Sequence, residues 1–291
     1  MQGRIRLFSV GDNRLTLVAY VTAQGAVYSI TNLGKSLIAG INSRIQLYEW
    51  NKIATRLNPV CGHSGHTIVL KIDVLGDLIL VGDLMKSVQL YKYQKASSSI
   101  DLLARDFNPA WIASSVILDK DVFLGADSCY NLFTLKRNIT ADTDEDKCRL
   151  NVIGQYHLGD FVNRFRPGSL VMKLPDSEIS KIPTMLFGTI NGALGIVASL
   201  SVEQYQCLEE LQNVLRHHIK GVGGLDHAEW RSFQTAFLRE DTACTGYIDG
   251  DLLEQILDLS HQDQEEILGK LGGGEKADRV MRLVEDLSRL H

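Results

Sequence analysis

Short apolar runs recur along the first two hundred residues. Each run ends at a glycine and is followed, after about five residues, by an apolar-x-apolar triplet. The four copies are Leu37–Gly40 with Ile45 and Leu47, Leu80–Gly82 with Val88 and Leu90, Phe123–Gly125 with Tyr130 and Leu132, and Leu186–Gly188 with Leu194 and Ile196. Alternation of β-branched and aromatic residues between turn residues is typical of short antiparallel strands. The pattern therefore predicts a repeated unit of strands.

The spacing of the repeat indicates the architecture. Its glycines follow one another after 42, 43 and 63 residues, whereas a β-propeller blade holds four strands in about 40–50 residues. The long interval contains two polar stretches, 138–147 and 175–183, which we interpret as loop insertions. A β-sandwich would show the alternation without a fourfold period of this length. Because glycine alone tolerates positive φ freely, we expect it where strands crowd or turn sharply.

Residues 1–202 supply about four blades and the end of a fifth. The fifth is a half-copy formed by Gly3, Ile5 and Leu7, with an outer strand and no inner ones. This count predicts a fragment of a larger propeller that begins inside a blade, with Met1 as an internal residue or a mispredicted start.

After residue 202 the apolar positions change to helical spacing. They are Tyr205, Leu208, Leu211, Leu215 and Ile219; then Leu252, Leu253, Ile256 and Leu257; then Ala277, Val280, Leu283, Val284, Leu287 and Leu290. Ser260 and Asp263 resemble a capping box that opens another helix, and the glycines of 221–224 and 272–274 are predicted breaks. We therefore expect a helical domain over residues 203–291.

Composition and charge narrow the class of protein. The chain has 291 residues, 45% of them apolar and 22% charged, which is globular and excludes low-complexity and disordered classes. Residues 1–200 carry a net charge of +4 and residues 201–291 a net charge of −9, which suggests two units with different surfaces. The overall charge of −5 argues against a basic nucleic-acid-binding protein.

Five scattered cysteines without a C-x-x-C motif favour reduced thiols, in the cytosol or nucleus. No window of the chain reaches the ~18 apolar residues of a membrane span. Charged residues interrupt any apolar core of a signal peptide near the N-terminus.

Several local motifs suggest ligand chemistry, but each lacks an essential part. Residues 34–36 read Gly-Lys-Ser, like the end of a P-loop. That motif also requires Gly five residues before Gly34, where this chain has Ser29, so a hairpin turn is expected. Residues 241–252 imitate a calcium loop without its terminal Glu, so we predict a turn and a helix start that favours Asp249 and Asp251. Cys61, His63 and His66 lack a fourth zinc ligand, and we interpret them as part of a loop between blades.

Other charged and aromatic positions are less specific. The acidic run at 142–146 is interpreted as a solvated loop. The cations Arg164, Arg166 and Lys173 lack interleaved aromatic residues for nucleic-acid binding. No catalytic motif is present, so we expect no enzyme, no cofactor and no metal. Tyr28 and Trp111 are candidates for an interaction surface, with burial in a blade core as the alternative.

Six strings resemble the family of the large subunit of the UV-damaged-DNA-binding protein. They are GAVYS at 25–29, VGDLMKS at 81–87, RDFNPAW at 105–111, HLGDFVN at 157–163, LFGTING at 186–192 and GYIDGDL at 246–252. The matches run in order from about residue 3 to His291. Relatives in mRNA 3′-end processing and in the spliceosome share the general plan, including the large subunit of the cleavage and polyadenylation specificity factor.

The resemblance implies a fold and a role. Members have three seven-bladed propellers and a C-terminal helical domain, so this chain would hold the later blades of the third propeller and that domain. They are adaptors of cullin-4 ubiquitin ligases, act in DNA repair and protein ubiquitination, and are found in nucleus and cytoplasm. The cullin binds a propeller that is absent here. Partners on the third propeller are substrate receptors of the WD-repeat type, including the small damaged-DNA-binding subunit, so contact with DNA is indirect.

The resemblance also implies receptor-binding residues. They are Tyr28, Ile68, Leu70, Lys86, Trp111, Phe161, Asn163 and Ile190. Together they would form an apolar and aromatic floor suited to a helix laid in a groove. Lys86 replaces the usual arginine and cannot form its planar fork, and Lys71 replaces a usual aromatic residue. Two alternatives remain open: an RNA-processing scaffold, and direct nucleic-acid binding.

Overall fold

The computed structural model describes residues 2–11, 13–171, 182–235 and 242–290. The chain divides into two compact units, residues 1–153 and 154–291. Strands dominate the chain as far as residue 198, and helices follow from residue 202. The predicted domains, 1–202 and 203–291, follow this change of secondary structure, whereas the compact units divide earlier. As a statement about domains, the boundary at 202 stays a prediction.

Seventeen strands and six helices lie in the described ranges. The strands are β1 (Gly3–Gly11), β2 (Arg14–Ala23), β3 (Val27–Leu33), β4 (Ser36–Ile41), β5 (Arg44–Asn51), β6 (Arg56–Ser64), β7 (Val69–Leu75), β8 (Leu78–Asp83), β9 (Val88–Gln94), β10 (Ser99–Arg105), β11 (Ile112–Ile117), β12 (Val122–Asp127), β13 (Asn131–Arg137), β14 (Leu150–His157), β15 (Val162–Pro167), β16 (Thr184–Thr189) and β17 (Leu194–Ala198). The helices are α1 (Asp144–Lys147), α2 (Val202–His218), α3 (His227–Trp230), α4 (Gly250–Glu254), α5 (His261–Lys270) and α6 (Gly274–Ser288).

Consecutive strands form antiparallel sheets, as the repeat predicts. Strands β3–β6, β7–β10 and β11–β14 form three four-stranded sheets, β15–β17 form a three-stranded sheet, and β1 pairs with β2. The mainly β, propeller-type fold is thereby confirmed. The half-copy at the start contributes two paired strands rather than one outer strand. Of the predicted insertions, 138–147 contains the short helix α1, and residues 175–181 lie outside the described residues.

The core of the first unit lies between neighbouring sheets. One cluster joins Ile38 and Ile45 of the second sheet to Val69 and Ile79 of the third. Another joins Ile5 of β1 to residues of β4 and β5. The first strands of neighbouring sheets are also hydrogen bonded: Ser29 Oγ accepts the N–H of Ile72 at 3.0 Å, and Asp73 Oδ2 accepts that of Ile117 at 2.8 Å.

Close packing, and not backbone conformation, explains three of the four repeated glycines. A Cβ on Gly40 would lie 2.5 Å from Cγ1 of Val69, and one on Gly82 would lie 2.8 Å from Cγ2 of Ile112. Both neighbours stand on the first strand of the next sheet. Crowding between sheets is thus the physical reason for glycine at Gly40 and Gly82. A Cβ on Gly125 would instead overlap Phe133 of its own sheet, and one on Gly188 would lie at an ordinary 3.6 Å from Leu194. None of the four has a positive φ, so the expected freedom of φ is not used.

The helices of the second unit follow the predicted periodicity. Leu208, Leu211 and Leu215 of α2 pack with the other helices in one buried cluster. Ser260 caps α5 through the N–H of Asp263, as predicted. Ser201 and Gln204 form a complete capping box on α2 that the sequence reasoning missed. The glycine breaks are confirmed, since Gly223, Gly224 and the glycines of 272–274 have positive φ.

A buried ion pair connects separate segments of the second unit. Arg231 donates from Nε to Asp249 Oδ2 at 2.7 Å and from Nη1 to the carbonyls of His157 and Leu158, both at 3.2 Å. His227 Nε2 lies 2.8 Å from the same carboxylate oxygen. Asp249 precedes α4 but makes no side-chain cap. The predicted helix start is confirmed, since Asp249 is the N-cap residue and Asp251 lies in the first turn of α4, and the side chain of Asp249 is used for charge pairing in addition.

Electrostatics explain why Asp249 stays ionised. Burial by itself would raise the pKa of this carboxyl group. The hydrogen bond from His227 and the charge and hydrogen bond of Arg231 outweigh burial and hold the pKa at about 2. A buried charge is tolerated when it is paired and hydrogen bonded in this way.

The five cysteines are free thiols. None of the described helices is long and apolar enough to cross a membrane.

Candidate protein-binding edge of the sheets

The eight predicted binding residues fall at three places in the repeat. In each sheet, we use the term leading edge for the edge at which the first strand begins. Ile68, Trp111 and Phe161 immediately precede β7, β11 and β15. Tyr28, Leu70 and Asn163 are the second residues of β3, β7 and β15. Lys86 and Ile190 lie in the turns that follow the second strands of their sheets, which also places them at a leading edge.

The second residue of each first strand coincides with a register shift. Pairing to the neighbouring strand shifts between Val27 and Ser29, between Val69 and Lys71, between Ile112 and Ser114, and between Val162 and Arg164. An extra residue in one strand twists it locally and redirects a side chain. The repeat therefore re-aims Tyr28, Leu70 and Asn163 by the same backbone device.

A recurring hydrogen bond fixes the residue before each first strand. The carbonyls of Ala26, Ile68, Trp111 and Phe161 accept the N–H groups of Asn42, Leu84, Ser128 and Ile190 at 3.0, 3.0, 2.8 and 3.0 Å. Each donor belongs to the turn after the second strand of the same sheet. These backbone hydrogen bonds thus hold the start of each first strand next to the turn after the second strand, and the predicted residues lie in these two places.

In the first unit, two aromatic side chains of the leading edge are half exposed. Tyr28 is 48% exposed and Trp111 is 45% exposed, so neither is buried in a blade core, which was the alternative. Ile68 and Leu70 are partly buried, and Lys86 is exposed and donates to the carbonyl of Gly65. A surface that leaves large apolar groups in water is typical of an interaction site.

Asp83 fixes the loops around Lys86. Its Oδ1 accepts the N–H groups of Met85 and Lys86 at 2.9 and 3.0 Å, and its Oδ2 accepts that of Thr67 at 2.6 Å. Burial would raise the pKa of this carboxyl group, but the neighbouring His66, whose Nδ1 lies 3.6 Å from Oδ2, and the hydrogen bonds from these amides hold the pKa at about 2. Asp83 therefore stays charged and holds both loops in one arrangement.

Sequence reasoning did not select Phe107, an aromatic residue four positions before Trp111. Phe107 is exposed, and the guanidinium carbon of Arg105 lies 4.2 Å from its ring centre, within the range of a cation–π contact. Its neighbour Asp106 accepts a hydrogen bond from Ser87 Oγ at 2.6 Å, which attaches this segment to the turn after β8. The string RDFNPAW contains both Phe107 and Trp111, but only the exposure of Phe107 in the structure showed that it belongs to the surface.

In the second unit, one sheet carries the remaining predicted residues. Ile190 is 61% exposed, Asn163 is exposed and Phe161 is partly buried. Asp160 accepts the N–H of Phe161 at 2.6 Å and the amide of Asn191 at 2.7 Å. A carboxylate thus connects the segment before the first strand to the turn after the second strand, as Asp83 does in its own sheet. Binding by these eight residues stays a prediction.

The other candidate motifs have structural roles. Gly34 and Lys35 form the β3–β4 hairpin turn, as expected. Cys61 and His63 lie within β6 and not in a loop between blades, which corrects that interpretation; the buried His66 contacts Tyr91. Within the described ranges, no group of three His, Cys, Asp or Glu could hold a metal ion.

Three sequence predictions concern charged positions. Residues 142–146 of the acidic run are exposed, as predicted, and partly helical. Asp241, the first position of the calcium-like loop, lies outside the described residues, as does Lys173. Arg164 and Arg166 are exposed on β15.

The sheets, with helices following them, define a propeller-type protein with a helical C-terminal part. The chain belongs to the family described as the CPSF A subunit region, whose model matches residues 1–258. The resemblance inferred from the six strings is confirmed by similarity to individual proteins.

Those relatives are DNA damage-binding proteins of plants. The chain is 48% identical to DNA damage-binding protein 1b of Arabidopsis thaliana and 47% identical to DNA damage-binding protein 1 of Oryza sativa subsp. japonica, in each case over 293 residues. It is 46% identical over 294 residues to DNA damage-binding protein 1 of Solanum lycopersicum. All of this chain is covered in each comparison, but only 27%, 26% and 27% of those proteins. The chain thus spans about a quarter of their length.

Proposed function

We propose that this chain is a non-catalytic adaptor segment of a cullin-4-type ubiquitin ligase, which binds substrate-receptor proteins through the leading edges of its sheets. In this role it acts in DNA damage recognition and repair and in protein ubiquitination, in the nucleus and cytoplasm. Receptors of the WD-repeat type are its direct partners, and DNA contact is made by such a partner. The cullin binds a part of the relatives that this chain does not match.

The similarity to DNA damage-binding proteins supports the assignment to DNA damage recognition. The observation that carries the binding role is the pair of half-exposed aromatic residues, Tyr28 and Trp111, at repeated positions of the leading edge. Aromatic side chains dominate the binding energy of protein interfaces because they bury a large area with few rotatable bonds. The backbone hydrogen bonds of the edge hold these groups before a partner arrives, which lowers the entropy cost of binding.

The chemistry of the edge favours an amphipathic helix as the bound element. In the first unit, Tyr28 and Trp111 with the partly buried Ile68 and Leu70 supply a surface for the apolar face of such a helix. Lys86 offers one point charge at the edge of this surface. Its ammonium group binds a single acceptor, whereas an arginine would bind a carboxylate with two parallel hydrogen bonds.

Binding of a labelled helical peptide from a WD-repeat substrate receptor tests the proposal. We expect Trp111→Ala to weaken binding by about 2 kcal/mol, roughly thirtyfold, because a large aromatic anchor is lost. Fluorescence anisotropy measures the dissociation constant, and circular dichroism verifies that the variant is folded.

Ile53→Ala is the matched control. Ile53 is 99% exposed in the β5–β6 turn, at the opposite edge of the same unit, so its removal should leave the dissociation constant unchanged. Equal losses in the two variants, or no binding by the well-folded parent chain, would contradict the proposal. Binding of RNA with a steep dependence on salt would favour the nucleic-acid alternative instead.

A further inference from the structure

A cleft of about 400 Å³ lies in the second unit. It is lined by the last turn of α2, the segment that follows this helix, and the first residue of α3. The charged and titratable residues that line it are Arg216, His217, His218, Lys220, Asp226 and His227. None of the sequence motifs discussed above assigns a role to this cleft.

The cleft is a basic site in an acidic part of the chain. Residues 201–291 carry a net charge of −9, yet Arg216 and Lys220 place two permanent positive charges on one concave surface. A third cation stands beside it, since Lys270 Nζ lies 2.6 Å from Nε2 of His218, while also donating to Glu266. The permanently charged residues that line the cleft are the two cations Arg216 and Lys220 and one anion, Asp226, so their sum is positive. A concave surface with an excess of positive charge concentrates anionic ligands.

The carboxylate among the cleft residues keeps its charge but is hydrogen bonded within the protein. Asp226 Oδ2 accepts the N–H of Ala228 at 3.1 Å, as the cap of α3. His227 Nε2 is directed to the buried carboxylate of Asp249. These contacts leave the cations of the cleft as the groups available to a ligand.

Arg216 is the arginine among the residues that line the cleft. Its Nε is buried and has no hydrogen-bond partner among the described residues. A buried N–H of a charged group without an acceptor is costly. Because this Nε is closed to solvent, an oxygen-rich anion in the cleft would bind the guanidinium through its Nη groups. Arginine and phosphate match in geometry, because the planar guanidinium donates two parallel hydrogen bonds.

Helix electrostatics explain only part of the arrangement. Cations in the last turn of a helix offset the partial negative charge there, which accounts for Arg216 and its two histidine neighbours. Lys220 lies beyond the end of α2 and still lines the same cleft. The partial charge of a helix end, roughly half an elementary charge, is smaller than the charge that the cations bring.

We propose that this cleft binds a small phosphate-bearing molecule, with Arg216 and Lys220 as its main ligands. A volume of about 400 Å³ falls within the range of small-molecule sites, roughly 300–1,000 Å³. Arg216 holds phosphate oxygens through its guanidinium group, and Lys220 contributes a point charge. The partly buried Ile219 borders the apolar part of the ligand.

Calorimetric titration of the whole chain with inorganic pyrophosphate at constant ionic strength tests the proposal. We expect saturable binding at one site, and a loss of affinity of roughly tenfold for Lys220→Gln and at least as much for Arg216→Gln, because a charge-assisted hydrogen bond is removed. Lys276→Gln is the matched control, since Lys276 pairs with Glu210 on the exposed surface of the same unit and should retain the parental affinity.

The outcomes distinguish a site from general charge attraction. Absence of saturable binding, or an equal loss in the Lys276 control, overturns the proposal. Equal affinity for sulfate at the same ionic strength overturns the assignment to phosphate. If Arg216→Gln does not fold, the exposed Lys220 decides the question, because its substitution leaves the helix core intact.

Discussion

The buried pair of Arg231 and Asp249 makes the sharpest prediction about stability. Substituting Asp249 by asparagine keeps the size of the side chain and one oxygen acceptor but removes the charge. Arg231 is then left buried with its guanidinium still bonded to the carbonyls of His157 and Leu158. The side chains of Arg231 and Asp249 are 8% and 5% exposed, so water cannot replace the lost partner.

The expected cost follows from burial. Breaking a buried ion pair by removing one partner costs about 3–5 kcal/mol, because the remaining charge is uncompensated. Asparagine retains part of the hydrogen bonding, so we expect about 3 kcal/mol for Asp249→Asn. Asp251 gives a matched control: its carboxylate lies 3.7 Å from the same guanidinium but is 91% exposed. Asp251→Asn should cost less than about 1 kcal/mol, as for other solvated pairs.

Acid should reveal the same interaction. The pKa of Asp249 falls from 3.8 to about 2 on folding, which corresponds to about 2 kcal/mol. Because the folded pKa is depressed, this stability is present above about pH 4 and is lost as the pH falls towards 2. A protonated aspartic acid resembles asparagine in shape, so the stabilities of the parent and Asp249→Asn should converge over this range.

Urea unfolding, monitored by tryptophan fluorescence, measures the loss of stability close to the ion pair. Trp230 adjoins the pair, with the Arg231 guanidinium 5.6 Å from its ring centre, and Trp50→Phe with Trp111→Phe leaves it as the sole tryptophan. The reasoning is refuted if Asp249→Asn lies within about 0.5 kcal/mol of the parent at pH 7, or if the gap between them stays constant from pH 5 to pH 2.5.

Two further substitutions test the packing. Gly40→Ala should lower the free energy of unfolding by about 1–3 kcal/mol, measured by thermal unfolding, because the new methyl group would overlap Val69. Gly11→Ala is the control, since its added Cβ has no neighbour within 4 Å. It should show no loss of stability, and a loss there would contradict the packing argument. Leu211→Ala should cost about 2–5 kcal/mol in urea unfolding, since Leu211 is fully buried among the helices, and a cost below 1 kcal/mol would show that this core can collapse around the cavity.

Several elements were predictable because their signals are local. Period-two alternation and the spacing of the glycines predicted the strands and their grouping, since side chains of a strand alternate between two faces. The helical spacing after residue 202 and the capping pair of Ser260 and Asp263 predicted helices for the same reason. The capping box of Ser201 and Gln204 was equally local and was missed, although its signal was present.

The candidate site was only partly predictable. The resemblance proposed eight residues, but it did not show that they occupy three repeated positions or that the backbone shifts at Tyr28, Leu70 and Asn163. That arrangement depends on pairing between strands. Whether Tyr28 and Trp111 are exposed also depended on what surrounds them, and the alternation of their neighbours was compatible with either outcome.

By itself, then, the sequence determined the repeat, the change from strands to helices, and the family, because these features are encoded in neighbouring residues and in contiguous strings. Only the tertiary structure decided the partner of Asp249, which lies 18 residues from Arg231 and 22 from His227. It also decided why Gly40 must be glycine, and which residues enclose the basic cleft beyond α2. Charge pairing, steric exclusion and cavity shape act between atoms close in space, and no local pattern along the chain records that proximity.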